Sequence, residues 1–254
     1  MLLHCPTTAF LIDAGISCRR IRSSLQTLGL SLSQLDALLI THEHSDHIAG
    51  LATLLKCSKL SVYSAPATVS FLQKRFPEHA SRFFSFSSGQ AISLNGCRIL
   101  PFHTSHDALQ SVGYRIDTPD GSVGILTDTG CIPPNAESLL QGVELLVLES
   151  NYDPLLLQNG PYPYSLKQRI AGPLGHLSNQ DAADFAVKMA QHGTNTILLA
   201  HLSEENNQPA FAMQCVQQQL GTCRCSASLY VAPRSELSQE FHLCRKSLFY
   251  ALEN

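Results

Sequence analysis

Four potential metal ligands lie within six residues of this sequence. His42, His44, Asp46 and His47 belong to the run Thr41-His42-Glu43-His44-Ser45-Asp46-His47, which directly follows an apolar segment. In extended backbone His42 and His44 point the same way, because side chains repeat every two residues. Imidazole and carboxylate groups suit zinc, manganese or iron. A polar surface loop explains one histidine but explains this cluster poorly, so the run predicts a metal site.

Three further candidate ligands each follow a short apolar run typical of a buried strand. They are His106, Asp128 and His201. Strand ends that meet at one edge of a sheet can form one crevice, so we expect these residues to join the cluster. His103 is the alternative to His106. We favour His106 as the ligand, with His103 facing the opposite side or the core.

Two aspartates have a structural alternative to a role at the metal. Asp128 either bridges two metal ions, which the cluster favours, or caps a turn. Asp13, in Leu11-Ile12-Asp13-Ala14-Gly15, either orients a ligand histidine or is an ordinary turn residue. For Asp13 the sequence favours neither alternative.

Strands and helices must carry these residues to one place. Apolar runs predict strands over 37–40, 61–64, 97–102, 112–117, 122–127, 144–148, 196–200, 229–232 and 240–244. Helical spacing predicts helices near 48–55, 69–75, 179–192 with Ser178 as N-cap, and 209–220. The irregular stretch 151–164 is predicted to be a functional or covering loop. This alternation predicts an α/β protein with two mixed β-sheets flanked by helices, in a single domain over 1–254.

Composition excludes some classes of protein. No apolar run reaches the roughly 18 residues of a membrane span, and no signal peptide is evident, so we expect a cytoplasmic protein. The nine scattered cysteines are then expected to be reduced thiols. The net charge of −3 gives no global attraction to nucleic acid, so such a partner needs a local basic patch. The sequence does not indicate an oligomeric state.

With these residues, the sequence resembles the metallo-β-lactamase superfamily over nearly its whole length. Within it, the stretches 105–108, 148–153, 159–163, 175–179 and 200–207 resemble the bacterial WalJ/YycJ branch. The resemblance implies an αββα sandwich that holds two divalent metal ions, zinc or manganese before iron. One metal would be bound by His42, His44 and His106, the other by Asp46, His47 and His201, with Asp128 as the bridge.

The N-terminal segment departs from this family pattern. Relatives begin with an extra strand and a Ser/Gly-rich loop before the segment 11–15, whereas this sequence starts almost on that segment. The departure removes no predicted metal ligand. Either the start codon is misassigned or the first edge strand is absent, and in the second case we expect an unpaired edge in the first sheet.

The resemblance implies a DNA exonuclease acting from the 5′ end, related in layout to ribonuclease Z. We expect phosphodiester hydrolysis by a hydroxide that bridges the two metals, with Asp46, Asp128 and His176 as catalytic residues. His176 matches a loop histidine of those nucleases and would act as general acid. The predicted substrate contacts are Lys167 and Arg169 to phosphates, Tyr162 and Tyr164 to bases, and Asn151. For the first four, a solvated surface is nearly as good an interpretation.

Two other functions stay open at this point. The first is hydrolysis of a small ester, thioester or lactam, because the metal motif alone does not discriminate between substrates. The second is a metal-bearing regulatory partner protein without catalysis. The complete ligand set argues against the partner protein, and the branch-specific stretches favour nucleic acid.

Overall fold

Fourteen strands in two sheets form the centre of the molecule in the computed structural model, which describes residues 1–6, 8–87, 89–234, 236–243 and 247–251. The strands are β1 (Leu2–Cys5), β2 (Thr8–Ile12), β3 (Ala37–Leu39), β4 (Ser61–Ser64), β5 (Phe83–Ser85), β6 (Ile92–Leu94), β7 (Cys97–His103), β8 (Val112–Thr118), β9 (Gly121–Leu126), β10 (Leu145–Glu149), β11 (Thr196–Ala200), β12 (Ser228–Val231), β13 (Phe241–Leu243) and β14 (Ser247–Tyr250). The helices are α1 (Cys18–Thr27), α2 (Ser45–Ile48), α3 (Leu51–Cys57), α4 (Pro66–Arg75), α5 (Ala136–Leu140), α6 (Pro154–Asn159), α7 (Tyr164–Ile170), α8 (Asn179–Gln191) and α9 (Pro209–Thr222). Short 3₁₀ turns cover Leu32–Gln34 and Pro77–Arg82.

Three apolar layers hold these elements together. One lies between the sheets and includes Phe10 and Tyr114. A second packs the outer face of the first sheet against α1, α3 and α4. The third packs the outer face of the second sheet against α5, α8 and α9. The layer order is therefore helix, sheet, sheet, helix, which confirms the predicted αββα sandwich.

The first sheet has the order β13-β14-β1-β2-β3-β4-β5. Strand β1 pairs antiparallel with both β2 and β14, so it lies inside the sheet. The expectation of an unpaired edge at this place is therefore wrong. The N-terminal residues fold back on β2 as a hairpin, and β14 covers the other side.

The second sheet has the order β12-β11-β10-β9-β8-β7-β6. Strand β10 lies parallel to β9 and β11. Strand β8 is antiparallel to both β7 and β9, so β7 and β9 run in one direction. The carboxyl ends of β7, β9, β10 and β11 therefore lie at one edge of the sheet.

Most predicted elements are confirmed within one or two residues, including α8 with Ser178 as its N-cap. The stretch 151–164 is not irregular throughout, because Asp153 caps α6 and Pro154 occupies the first turn of that helix. Strands β1, β2, β5, β6 and β14 were not predicted. Eight cysteines are free thiols, and Cys244 lies outside the described residues. Within the described ranges, no helix has the length and apolar character needed to cross a membrane.

Candidate metal centre

The candidate ligands lie where strands of both sheets end. His42 follows β3, His106 follows β7, Asp128 follows β9 and His201 follows β11. Asp46 and His47 lie on the short helix α2, which starts directly after His44. Helix α2 turns the chain after His44, and the donor atoms of all four residues of the motif lie close to those of the other candidate ligands. His44 and Asp46 line a cleft there. The cleft has a volume of about 270 Å³.

Two groups of three donors share one carboxylate. Donor atoms of His42, His44 and His106 lie within 4.8 Å of one another, and so do those of Asp46, His47 and His201. Asp128 reaches both groups: its Oδ2 lies 3.4 Å from Nε2 of His47, and its Oδ1 lies 3.8 Å from Nε2 of His106. His103 ends β7 on an exposed site, rather than in the core, and belongs to neither group.

Asp13 supports the motif from the end of β2. Its Oδ2 accepts hydrogen bonds from Nδ1 of His47 at 2.8 Å and from the Thr41 hydroxyl at 2.9 Å. The Thr41 hydroxyl in turn lies 3.0 Å from Nδ1 of His42. Asp13 therefore orients one ligand directly and a second through Thr41, which favours the supporting role over an ordinary turn.

Glu149 orients histidines of the site from the end of β10, as Asp13 does from the end of β2. The side chain is fully buried, and its Oε1 lies 2.7 Å from Nδ1 of His176 and 3.0 Å from Nδ1 of His201. Its Oε2 accepts the backbone N–H of Thr129 at 2.9 Å. One carboxylate thus fixes a candidate ligand, the candidate proton donor and the loop that carries Asp128.

The loop with His106 is tied to the rest of the site by two contacts. Nδ1 of His106 lies 3.0 Å from the carbonyl oxygen of Gly175, next to His176. Oε1 of Glu43 accepts the backbone N–H of Leu109 at 2.8 Å. Glu43 lies between His42 and His44, so the motif also holds the loop that carries His106 in place.

Three residues of the site have left-handed backbone. The φ angles are 61° at Asp13, 54° at Asp128 and 57° at His201. Aspartate and histidine tolerate this region better than most residues other than glycine. The sharp turn at each strand end lets the side chain point back over the edge of the sheet.

The charges of the site suit a bound cation. Burial and the neighbouring His47 lower the pKa of His42 to about 2, so this imidazole is neutral, as a ligand must be. Burial opposes ionisation of Asp128, but His201 and His47 hold the pKa of its carboxyl well below the usual value. Burial likewise opposes the charge on His47, whose pKa is nevertheless raised by Asp128 and Asp13. The carboxylates thus attract positive charge into the cleft.

Three buried polar atoms of the site test whether its residues can bind metal ions. Nε2 of His42, Nε2 of His47 and Oδ2 of Asp128 have no hydrogen-bond partner in the described part of the chain. A buried polar atom without a partner costs about 1–3 kcal/mol. Divalent metal ions bound by the two groups would satisfy all three, because each is an atom type that divalent metals bind. The residues therefore fit divalent metal ions.

The predicted substrate residues lie around the cleft in different ways. Tyr162 and Arg169 line it, whereas Tyr164 is 75% exposed and its hydroxyl accepts a hydrogen bond from Gln168. Nζ of Lys167 donates to a backbone carbonyl of α6 at 2.7 Å. Asn151 is buried, and its amide donates to the carbonyl of His201 at 2.8 Å.

Sequence reasoning assigned no role to Thr41, Glu43 or Glu149. Glu149 ends the strand between those that lead to Asp128 and His201, and this position is the signal that could have identified it. For Glu43 and Thr41 the only signal was their position inside the motif.

Comparison with known proteins agrees with the fold. Residues 8–202 match the family model described as a β-lactamase superfamily domain. The chain is 35% identical over 213 residues to the exodeoxyribonuclease WalJ of Streptococcus pneumoniae, covering 83% of this chain and 79% of that protein. It is 33% identical over 211 residues to the exodeoxyribonuclease YycJ of Bacillus anthracis, covering 83% and 80%.

A solved structure matches the architecture. The metallo-β-lactamase fold protein YhfI of Bacillus subtilis superimposes with a TM-score of 0.68 at 18% identity, over 91% of this chain and 87% of that one. The fold family and the donor set together imply divalent metal ions. The chain belongs to the metallo-β-lactamase superfamily, in the branch that contains WalJ and YycJ.

Proposed function

We propose that the protein is a two-metal-dependent phosphodiesterase that degrades DNA as an exonuclease from the 5′ end. The seven candidate ligands, Asp128 among them, support hydrolysis, but they serve equally well for esters, thioesters or lactams. The observation that carries the DNA substrate is the likeness to two exodeoxyribonucleases over about four fifths of their length and of this chain.

In this proposal His42, His44 and His106 would hold one metal, and Asp46, His47 and His201 would hold the other. Asp128 would be shared by both. Two divalent ions supply, when bound, a water of lowered pKa and positive charge against the phosphate oxygens. Zinc and manganese suit the mixed imidazole and carboxylate donors best, and iron follows.

His176 donates the proton to the leaving oxygen. Its Nδ1 is held by Glu149 at 2.7 Å, which leaves Nε2 as the atom that transfers a proton. The imidazole is also close to the bridging carboxylate, with Nδ1 4.0 Å from Oδ1 of Asp128. The proton donor therefore already lies next to the candidate metal site, where the phosphate of the substrate would bind.

The substrate strand runs past helix α7. Arg169 and Tyr162 line the cleft and are the side chains that contact a flanking phosphate and a base. Lys167 lies on the same helix, further from the donors. Asn151 contributes indirectly, because its amide holds the carbonyl of His201.

Purified protein loaded with manganese or with zinc tests this function. Each form is incubated with end-labelled double-stranded DNA, with and without a 5′-phosphate, beside the Asp128→Asn variant, in which asparagine suits the left-handed backbone at this position. Stepwise loss of nucleotides from the 5′ end, absent in the variant, is the expected result. Metal-loaded protein that leaves DNA intact would refute the DNA substrate, and esters, thioesters and lactams would be assayed next. Unaltered activity of the variant would refute the two-metal mechanism.

A further inference from the structure

A second, larger cavity opens beside the metal cleft. Its volume is about 370 Å³, at the lower end of the range typical of small-ligand sites. Asp46, His176, His201, Tyr162 and Ile170 line both spaces, so the cavity and the cleft are continuous. A substrate bound at the metals can therefore extend into it.

The candidate proton donor links the cavity to the reaction. His176 and His201 line both the cavity and the cleft, whereas His44 and His106 line only the cleft. His176 is the side chain that we propose protonates the leaving oxygen. The part of the substrate that carries that oxygen can therefore extend into the cavity.

The walls combine an apolar surface with a few polar groups. Ile21 and Leu25 of helix α1 and Leu11 of β2 form apolar wall. Ser24, Ser203 and Arg234 add polar groups. The Arg234 guanidinium is fixed by a 2.5 Å hydrogen bond to the carbonyl of Ser203, and the 84% exposed Glu204 lies 3.8 Å from it. The carboxylates of Asp13, Asp46 and Glu204 also line the cavity. The apolar wall suits a base and sugar, and Arg234 suits the phosphate that they carry.

We infer that this cavity receives the single terminal nucleotide that each cycle releases. The inference rests on the proposed function. In each cycle an oxygen of water bonds to phosphorus, and the bond from phosphorus to the 3′-oxygen of the terminal nucleotide breaks. The 3′-oxygen takes a proton from His176, and the shortened strand keeps a 5′-phosphate. A space of about 370 Å³ suits one nucleotide, which would make degradation stepwise.

Blocking the cavity without touching the metal centre tests this inference. Ser24→Trp fills it from helix α1, and Ser23→Trp is the matched control, because Ser23 is exposed and does not line the cavity. Each protein is assayed on 5′-labelled DNA and on bis(4-nitrophenyl) phosphate, a small phosphodiester without a nucleoside. Inhibition of the small reaction by deoxyadenosine 5′-monophosphate is measured as well.

We expect Ser24→Trp to release nucleotides about tenfold or more slowly than the control, and to lose inhibition by the nucleotide. Its hydrolysis of the small phosphodiester should stay within about twofold of the control, since the same metal centre serves both substrates. Equal rates of DNA degradation by the two variants would overturn the inference and leave the proposed function intact. Wild-type protein that cleaves neither substrate would instead refute the proposed function.

Should Ser24→Trp fail to fold, as judged by circular dichroism, Leu28→Trp one turn further along the chain takes its place, because Leu28 also lines the cavity. Wild-type protein gives an independent measurement. If millimolar deoxyadenosine 5′-monophosphate leaves its hydrolysis of the small phosphodiester unchanged, the cavity does not bind the released nucleotide and the inference is wrong.

Discussion

Oε1 of Glu149 lies 2.7 Å from Nδ1 of His176, in a part of the site without solvent access to the carboxylate. The same oxygen lies 3.0 Å from Nδ1 of His201. Burial opposes the charge on His176, but Glu149 raises the pKa of that imidazole above its ordinary value. One carboxylate therefore links the candidate proton donor to a candidate metal ligand.

Replacement of this carboxylate should reduce both catalysis and metal binding. In Glu149→Gln the neutral amide no longer stabilises two imidazole N–H groups, so we expect losses of about 10–100-fold in activity and in metal affinity. Steady-state rates on DNA and metal titration of the apoprotein measure the two effects. Glu137→Gln, at a carboxylate on the surface helix α5, should match wild type in both. Full activity of Glu149→Gln would show that Glu149 has no role in the reaction.

Metal binding should stabilise the fold. The unpartnered atoms of His42, His47 and Asp128 gain ligands only when a cation is bound. At about 100 times the dissociation constant the gain is about 2.7 kcal/mol, which corresponds to a rise of about 5–10 °C in Tm for a chain of this size. Thermal melts with manganese and with a chelator measure the shift. Identical melting curves would contradict a metal centre at these residues.

The two tyrosines of the 162–164 segment should differ in function. Tyr162 lines the cleft and the adjoining cavity, whereas Tyr164 is 75% exposed. Since stacking on a base contributes about 1–3 kcal/mol, Tyr162→Ala should raise KM for DNA by about tenfold or more. Tyr164→Ala is the matched control and should leave KM unchanged. Equal effects would mean that the strand follows a different path.

Arg169 should make a salt-sensitive contact with the DNA backbone. Its Nε donates to Asp107 at 2.5 Å, which holds the guanidinium at the rim of the cleft. Loss of one phosphate contact should weaken binding and lower the slope of log affinity against log salt by about 1. DNA binding in calcium between low and moderate salt measures the slope for Arg169→Ala. Arg98→Ala removes an equally exposed arginine paired with Asp117 and should keep the wild-type slope.

Much of this architecture could be predicted from local patterns. The buried run before His42 and the capped start of α8 at Ser178 are strong signals, because burial and capping act over a few residues. The same reasoning placed His106, Asp128 and His201 at strand ends, and these residues now lie together with the motif.

The remaining features depend on contacts that are distant in sequence. β1 is ordered by pairing with β14 at the far end of the chain, and no local pattern contains that information. The position of Glu149 at a strand end could be predicted, but its hydrogen bonds could not, because His176 and His201 are 27 and 52 residues away in sequence. The short helix α6 was missed because proline and glycine punctuate the stretch, although Pro154 in fact begins the helix.

The left-handed backbone at Asp13, Asp128 and His201 limits which amino acids these positions can accept. Alanine at Asp128 would remove a carboxylate and also impose a conformation that alanine avoids, at about 1 kcal/mol or more. An alanine variant therefore confounds lost chemistry with lost folding, whereas asparagine keeps the turn. Aspartate, asparagine, histidine and glycine fit these three positions at the lowest cost in backbone strain. The main chain thus restricts which side chains the site can carry, independently of any metal.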